Sequence, residues 1–182
     1  SLAIIQTSDR KLFWLMLDKL KKVDVQIVFD PNYRARMWDS HLQAKTEFEQ
    51  AFTRADVVLL GIEDFTALYG FTTYQSICDF LAMCKVSEII VKNRVESINC
   101  LIGGEEHIFD IEPVANVVDT KSAGDSFNGV FLGARMNGLG VEQSVKMVSA
   151  AAAFVIQHRG AIVPEDLFQS FLTKNESLLV GA

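Results

Sequence analysis

Three times before residue 92, apolar residues at helical spacing give way to a short apolar run, and this alternation constrains the fold more than any other feature. Leu12, Leu15, Met16 and Leu20 follow Ser8 or Asp9 as N-cap and lead to a run at 25–29. Phe48, Ala51, Phe52 and Ala55 lead to Val57-Val58-Leu59-Leu60. Ile77, Phe80, Leu81 and Cys84 lead to Ile89-Ile90-Val91. Helix–strand units in series predict a parallel sheet, because each strand must be reached by a crossover.

The pattern then changes. Ile98, Cys100 and Ile102 alternate up to Gly103-Gly104, and a second run returns at 107–111, predicting an antiparallel hairpin at the sheet margin. Beyond a strand-like Val117-Val118, the stripe Val141, Val145, Val148, Ala152 and Val155 predicts a long helix. Phe168, Phe171 and Leu172 predict a last one. The expected architecture is one α/β domain over 1–182, a mostly parallel sheet with helices on both faces, with ligands beyond the C-terminal strand ends.

Composition narrows the function. Seventeen Lys and Arg against 23 Asp and Glu, a net charge of −6, oppose binding to a phosphate backbone, so no nucleic-acid partner is expected. No apolar run is long enough to span a bilayer, so no membrane partner is expected either. Cys78, Cys84 and Cys100 lack Cys-x-x-Cys spacing, and the opening Ser1-Leu2-Ala3-Ile4-Ile5-Gln6 lacks a signal-peptide pattern. Together these predict reduced thiols in a cytoplasmic protein.

The chemistry concentrates in Asp119-Thr120-Lys121-Ser122-Ala123-Gly124-Asp125-Ser126-Phe127. Small residues at 122–124 let the backbone approach an anion, and the first-turn amides and dipole of the following helix favour negative charge. Asp125 beside them could take a proton from a hydroxyl attacking phosphorus. The same string also fits a plain cap, with Asp119 or Ser122 capping and Gly124 relieving a turn.

This string resembles the C-terminal signature of the ribokinase-like (PfkB) carbohydrate kinases: Asp-Thr-Thr, Gly or Ala, Ala-Gly-Asp, Ser or Ala, Phe. Phe29-Asp30-Pro31-Asn32-Tyr33-Arg34, Val91-Lys92 and Gln157-His158-Arg159-Gly160-Ala161 are most similar to the 2-keto-3-deoxygluconate kinases of that family. The resemblance implies a ribokinase-like three-layer sandwich and an ATP- and Mg2+-dependent kinase of an acidic keto-sugar. Asp125 is then the catalytic base, with the amides of Ala123, Gly124 and Asp125 as the anion hole. Arg34 matches the position facing the sugar acid, where a guanidinium suits a carboxylate, and Asn32 lies in the same loop. Lys92, Ser122, Gly124 and His158 fall at the nucleotide, and Asp64 at the acidic position that places magnesium-bound water. Each has a plainer reading: a solvated Arg34, turn chemistry at Asn32, a helix start at Glu63-Asp64, a packing His158.

Departures accompany the resemblance. Lys121 and Ser122 replace the family's Thr and its Gly or Ala, Gly61 replaces an Asn, and Asn93-Arg94 stands where a glycine follows the strand. The chain matches the later part of such a kinase, without the N-terminal portion and sugar lid. This implies a fold truncated on that side, weak or absent catalysis by the chain alone, and an exposed sheet edge that pairs with another copy. The alternatives are a kinase of a neutral sugar such as fructose or ribose, and a non-catalytic relative that binds a nucleotide or a partner.

Overall fold

The computed structural model describes Ile4 and residues 6–160 and 162–175. They gather into two compact units, Ser1–Asp110 and Ile111–Ala182, each described by itself.

The first unit runs α1 (Thr7–Lys21), β1 (Val28–Phe29), a 3-10 turn (Ala35–Met37), α2 (His41–Phe52), β2 (Val57–Gly61), α3 (Ile62–Tyr69), α4 (Tyr74–Met83), β3 (Glu88–Asn93), β4 (Ser97–Ile102) and β5 (Glu105–Asp110). The sheet order is β1-β2-β3-β4-β5, the order of the sequence. β1, β2 and β3 are parallel, with Val28 beside Val57 and Val57 beside Glu88. β4 and β5 continue antiparallel as the expected hairpin, so the sheet is mixed. Gly103 (φ 62°) and Gly104 (φ 82°) make its two-residue turn, which needs left-handed backbone at both positions.

All five residues of β2 are buried, which is why it reads as a continuous apolar run rather than an alternating one. Phe48, Phe52 and Phe65 pack beneath it, with Phe52 edge-on to Phe29 and Phe80. Such rings bury large apolar area and prefer these tilted geometries.

Several expectations shift at the start of the chain. Neither Ser8 nor Asp9 caps α1; Gln6 holds the N-cap position, with no side-chain cap bond. The stripe Leu12, Leu15, Met16 faces outward, Leu12 being 70% exposed. The inward face carries Arg10, Phe13 and Trp14. Arg10 is buried, bonds the Ile4 carbonyl and pairs with Glu47 of α2 at 3.2 Å, while Trp14 Nε1 donates to the other Glu47 oxygen. Partners on α2, invisible to periodicity, decide which apolar face turns in. The strand expected at 25–29 pairs only at Val28–Phe29. Asp56 holds the preceding residue instead, its carboxylate accepting from Ile27 N–H at 2.8 Å.

The second unit holds α5 (Ala123–Met136), α6 (Val141–Val155) and α7 (Glu165–Lys174). Val145, Val148 and Val155 of the α6 stripe are buried, and α5 contributes Phe127 and Phe131. Val117-Val118, read as strand-like, is irregular; Val118 and Asp119 both donate to the Ile156 carbonyl rather than to a ladder. Among the described residues no helix is long and apolar enough to cross a membrane.

Candidate functional site

The first unit collects charge where its parallel strands end. Asp30 follows β1, Asp64 sits one turn past β2 in α3, and Lys92 lies near the end of β3. Lys92 Nζ lies 3.9 Å from Asp30 Oδ2. Asp64 Oδ1 accepts from the Tyr33 backbone N–H at 3.1 Å, tying the loop after β1 to α3. Burial pushes the Asp64 carboxyl up to about 6, with the charges of Asp30 and Glu63 adding to the rise and the Tyr33 N–H and Lys92 opposing it.

Asn32 and Arg34 occupy that same loop. Asn32 has φ 38°, the left-handed backbone that Asn tolerates better than most residues. Arg34 is exposed, and its carbonyl anchors the 3-10 turn by accepting from Met37 N–H at 2.9 Å. At Gly61 a Cβ would lie 2.8 Å from Glu63 Oε1, so the Glu63 carboxylate fills the place of a side chain at that position.

The second unit builds its site from backbone. Ser126 N–H closes the first helical turn of α5 onto the Ser122 carbonyl, and Ala123 N–H turns back to Thr120 O at 3.2 Å. Gly124 and Asp125 fall at the next two helical positions, where amides lack an acceptor in their own helix. Ser122 is buried, and its Oγ has no hydrogen-bond partner. A buried orphan hydroxyl beside first-turn amides fits an anion, which could accept from all of them.

Asp119 staples this segment. Its two carboxylate oxygens accept from Lys121 N–H at 3.0 Å and from Gly160 N–H at 3.3 Å, and these bonds hold its pKa below the usual carboxylate value. Gly160 has φ 100°, which only glycine adopts without strain. His158 packs at a tilt against Phe154, and its Nδ1 lies 2.8 Å from the Phe154 carbonyl. As donor at Nδ1, the ring keeps Nε2 as acceptor. Asp125 is exposed at the third helical position.

The structure thus brings Asp64 together with Lys92 through Asp30, and sets Ser122, Ala123, Gly124 and Asp125 in one turn. Sequence reading gave Asp30 no role and Asp119 only that of a plain helix cap. Asp30 was signalled by its place just after an apolar run; the Asp119 bond to Gly160, 41 residues away, had no local signal. Among the described residues no group of three or more His, Cys, Asp or Glu side chains could hold a metal directly. The negative surroundings of Asp64 suit a hard cation held through water instead.

Comparison with known proteins adds an independent line. The family model for pfkB family carbohydrate kinase matches residues 3–167. The chain is similar to 2-dehydro-3-deoxygluconokinase of Escherichia coli K12, 31% identical over 170 residues that cover 91% of this chain and 55% of that protein. It is likewise similar to the Haemophilus influenzae protein of that name, 34% identical over 168 residues, covering 90% and 52%. The chain spans about half the length of the curated relatives it matches. A crystal structure of fructokinase from Vibrio cholerae O395, with fructose, ADP and calcium ion bound, superposes with a TM-score of 0.82 at 21% identity, covering 94% of this chain and 58% of that one.

Proposed function

Because the chain belongs to the pfkB family of carbohydrate kinases, we propose that it carries the phosphoryl-transfer machinery of an ATP- and Mg2+-dependent kinase whose substrate is 2-keto-3-deoxygluconate. The observation that carries this reading is the start of α5, where a buried orphan hydroxyl, first-turn amides and a carboxylate occupy four consecutive residues. The names of the curated relatives support the sugar acid, and the ligands of the fructokinase structure support the pairing of sugar, nucleotide and divalent cation.

ATP supplies the phosphoryl group when bound, and Mg2+ neutralises part of its charge. Asp125 accepts the proton of the attacking sugar hydroxyl, so the new oxygen–phosphorus bond forms as the bond to the departing ADP breaks. The amides of Gly124 and Asp125 and the Ser122 hydroxyl donate to the phosphoryl oxygens as charge develops there. Ala123 contributes its small size, its own amide being turned to Thr120. Asp119 is a positioning residue that keeps the turn in register.

Arg34 pairs with the sugar carboxylate and Asn32 with a sugar hydroxyl. Asp64 would hold the cation through water, and Lys92 would balance charge beside the nucleotide phosphates. His158 offers Nε2 at the nucleotide's edge.

The test is ADP release from ATP and Mg2+ with 2-keto-3-deoxygluconate, fructose or ribose as acceptor. Release with the sugar acid that falls about 10²–10⁴-fold in Asp125→Asn supports the reading. Release unaffected by that substitution counts against it, whereas no release with any sugar would fit the weak catalysis expected of a chain that spans about half the length of its relatives. Arg34→Ala should raise KM for the acidic sugar while leaving fructose unchanged; no effect would point to a neutral substrate.

A further inference from the structure

Three charged residues of α1 find partners within the chain: Arg10 on Glu47, Lys21 on Asp56 at 2.9 Å and Asp18 on Arg54 at 2.7 Å. Asp9 and Lys19 differ. Both are exposed on the outward face, and among the described residues neither enters an ion pair. Asp9 accepts from the hydroxyl of its neighbour Ser8 at 3.1 Å. Between the two charges stand Leu12, Leu15 and Met16, which are 70%, 48% and 46% exposed.

Asp9, Leu12, Met16 and Lys19 are spaced by three, four and three residues, the seam of a coiled coil. At about 100° per residue they fall within about 80° of the helix circumference. Single exposed leucines are ordinary on a protein surface, but this seam is apolar at its centre and oppositely charged at its two ends. Asp9 with Lys19, and Leu12 with Met16, share one midpoint, position 14. A second α1 laid antiparallel across that midpoint therefore meets Leu12 with its Met16 and Asp9 with its Lys19, and each contact occurs twice. The helix dipoles also oppose favourably. A parallel pair would set Asp9 against Asp9 and Lys19 against Lys19, so charge selects the antiparallel arrangement.

We propose that α1 is the contact surface of a homodimer, in which the outward faces of two copies pack antiparallel about a twofold axis at position 14. The same patch then serves on both copies, as closed twofold symmetry requires. The sheet edge offers less, because β1 gives a ladder only Val28 and Phe29, a short edge of the kind that resists pairing. With 15 residues α1 spans about 22 Å, a small contact, so the dimer exchanges with monomer. The inference stands apart from the kinase reading and uses no residue of that site.

Sedimentation equilibrium of the intact chain from about 1 μM to about 1 mM tests it, a range that covers weak association. Wild type should pass from monomer to dimer. Leu12→Lys, at an exposed position, should keep the circular dichroism of the fold and weaken the dimer at least about tenfold. Asp9→Lys and Lys19→Asp should each weaken it several-fold. Carrying both changes restores opposite charges at each end, so the double variant should return toward the wild-type constant. That rescue requires position 9 of one copy to face position 19 of the other, which neither a parallel helix pair nor pairing at β1 produces. A chain monomeric at every concentration, a dimer indifferent to Leu12→Lys, or a double variant no tighter than the single ones would overturn the inference.

Discussion

The two units handle charge in opposite ways. The first assembles it from side chains delivered by three strand ends, Asp30, Asp64 and Lys92, with Asp30 and Lys92 acting on Asp64 in opposite senses. The second makes it from backbone at one helix start and stiffens that start with a single carboxylate, Asp119. A site of side chains can be tuned by pH and by single substitutions. A site of amides, apart from its own Ser122 and Asp125 side chains, depends on backbone and fails when its turn loses register.

The largest expected effect that sharpens this contrast is at Asp64. Its folded pKa is raised from 3.8 to about 6, so the protonated form is favoured in the folded state. That stabilisation is complete below pH 3.8 and is lost as pH rises through 6. Asp64→Asn should therefore gain on wild type by about 2 kcal/mol between pH 3 and pH 8, read from urea denaturation across that range. A pH-independent difference would break the side-chain account of the first unit.

Asp119→Ala should act more locally. The pKa of Asp119 is lowered, so its contribution is present above the ordinary carboxylate value and lost as pH falls through the depressed one. Amide hydrogen exchange at Lys121 and Gly160 should accelerate in the variant at neutral pH, with turnover falling alongside. Slow exchange at both amides in Asp119→Ala would remove its role as staple.

The smallest effect is expected at Gly61→Ala. The new Cβ meets only the end of a flexible side chain, Glu63 Oε1 at 2.8 Å, which can swing aside. Stability should change by less than about 0.5 kcal/mol. The Asp64 titration, followed by NMR, should shift downward as the Glu63 charge moves away.

How much of this was legible in sequence varied with the source of each constraint. The α6 stripe was readable because one apolar face exists there and tertiary packing uses it. On α1 two apolar faces compete, and the choice between them rests on Arg10 and Trp14 meeting Glu47, 37 and 33 residues further on. The parallel units and the Gly103-Gly104 hairpin follow from local pattern. The division after Asp110 does not, for no Pro- or Gly-rich linker marks it. Among site residues, the turn at 122–125 was written in consecutive positions. The proximity of Asp30, Asp64 and Lys92 depends on strand order, and the left-handed Arg94 is signalled only by the family glycine it replaces.

The sheet order of the first unit equals its sequence order. Each of β2 to β5 therefore finds a neighbour already made when it emerges from the ribosome. Such a layout favours vectorial assembly during synthesis, although the parallel pairs Val28 with Val57 and Val57 with Glu88 must still close loops of about thirty residues. The residues at 30, 64 and 92 would accordingly come together in the order of translation, with the pair to Lys92 completed last.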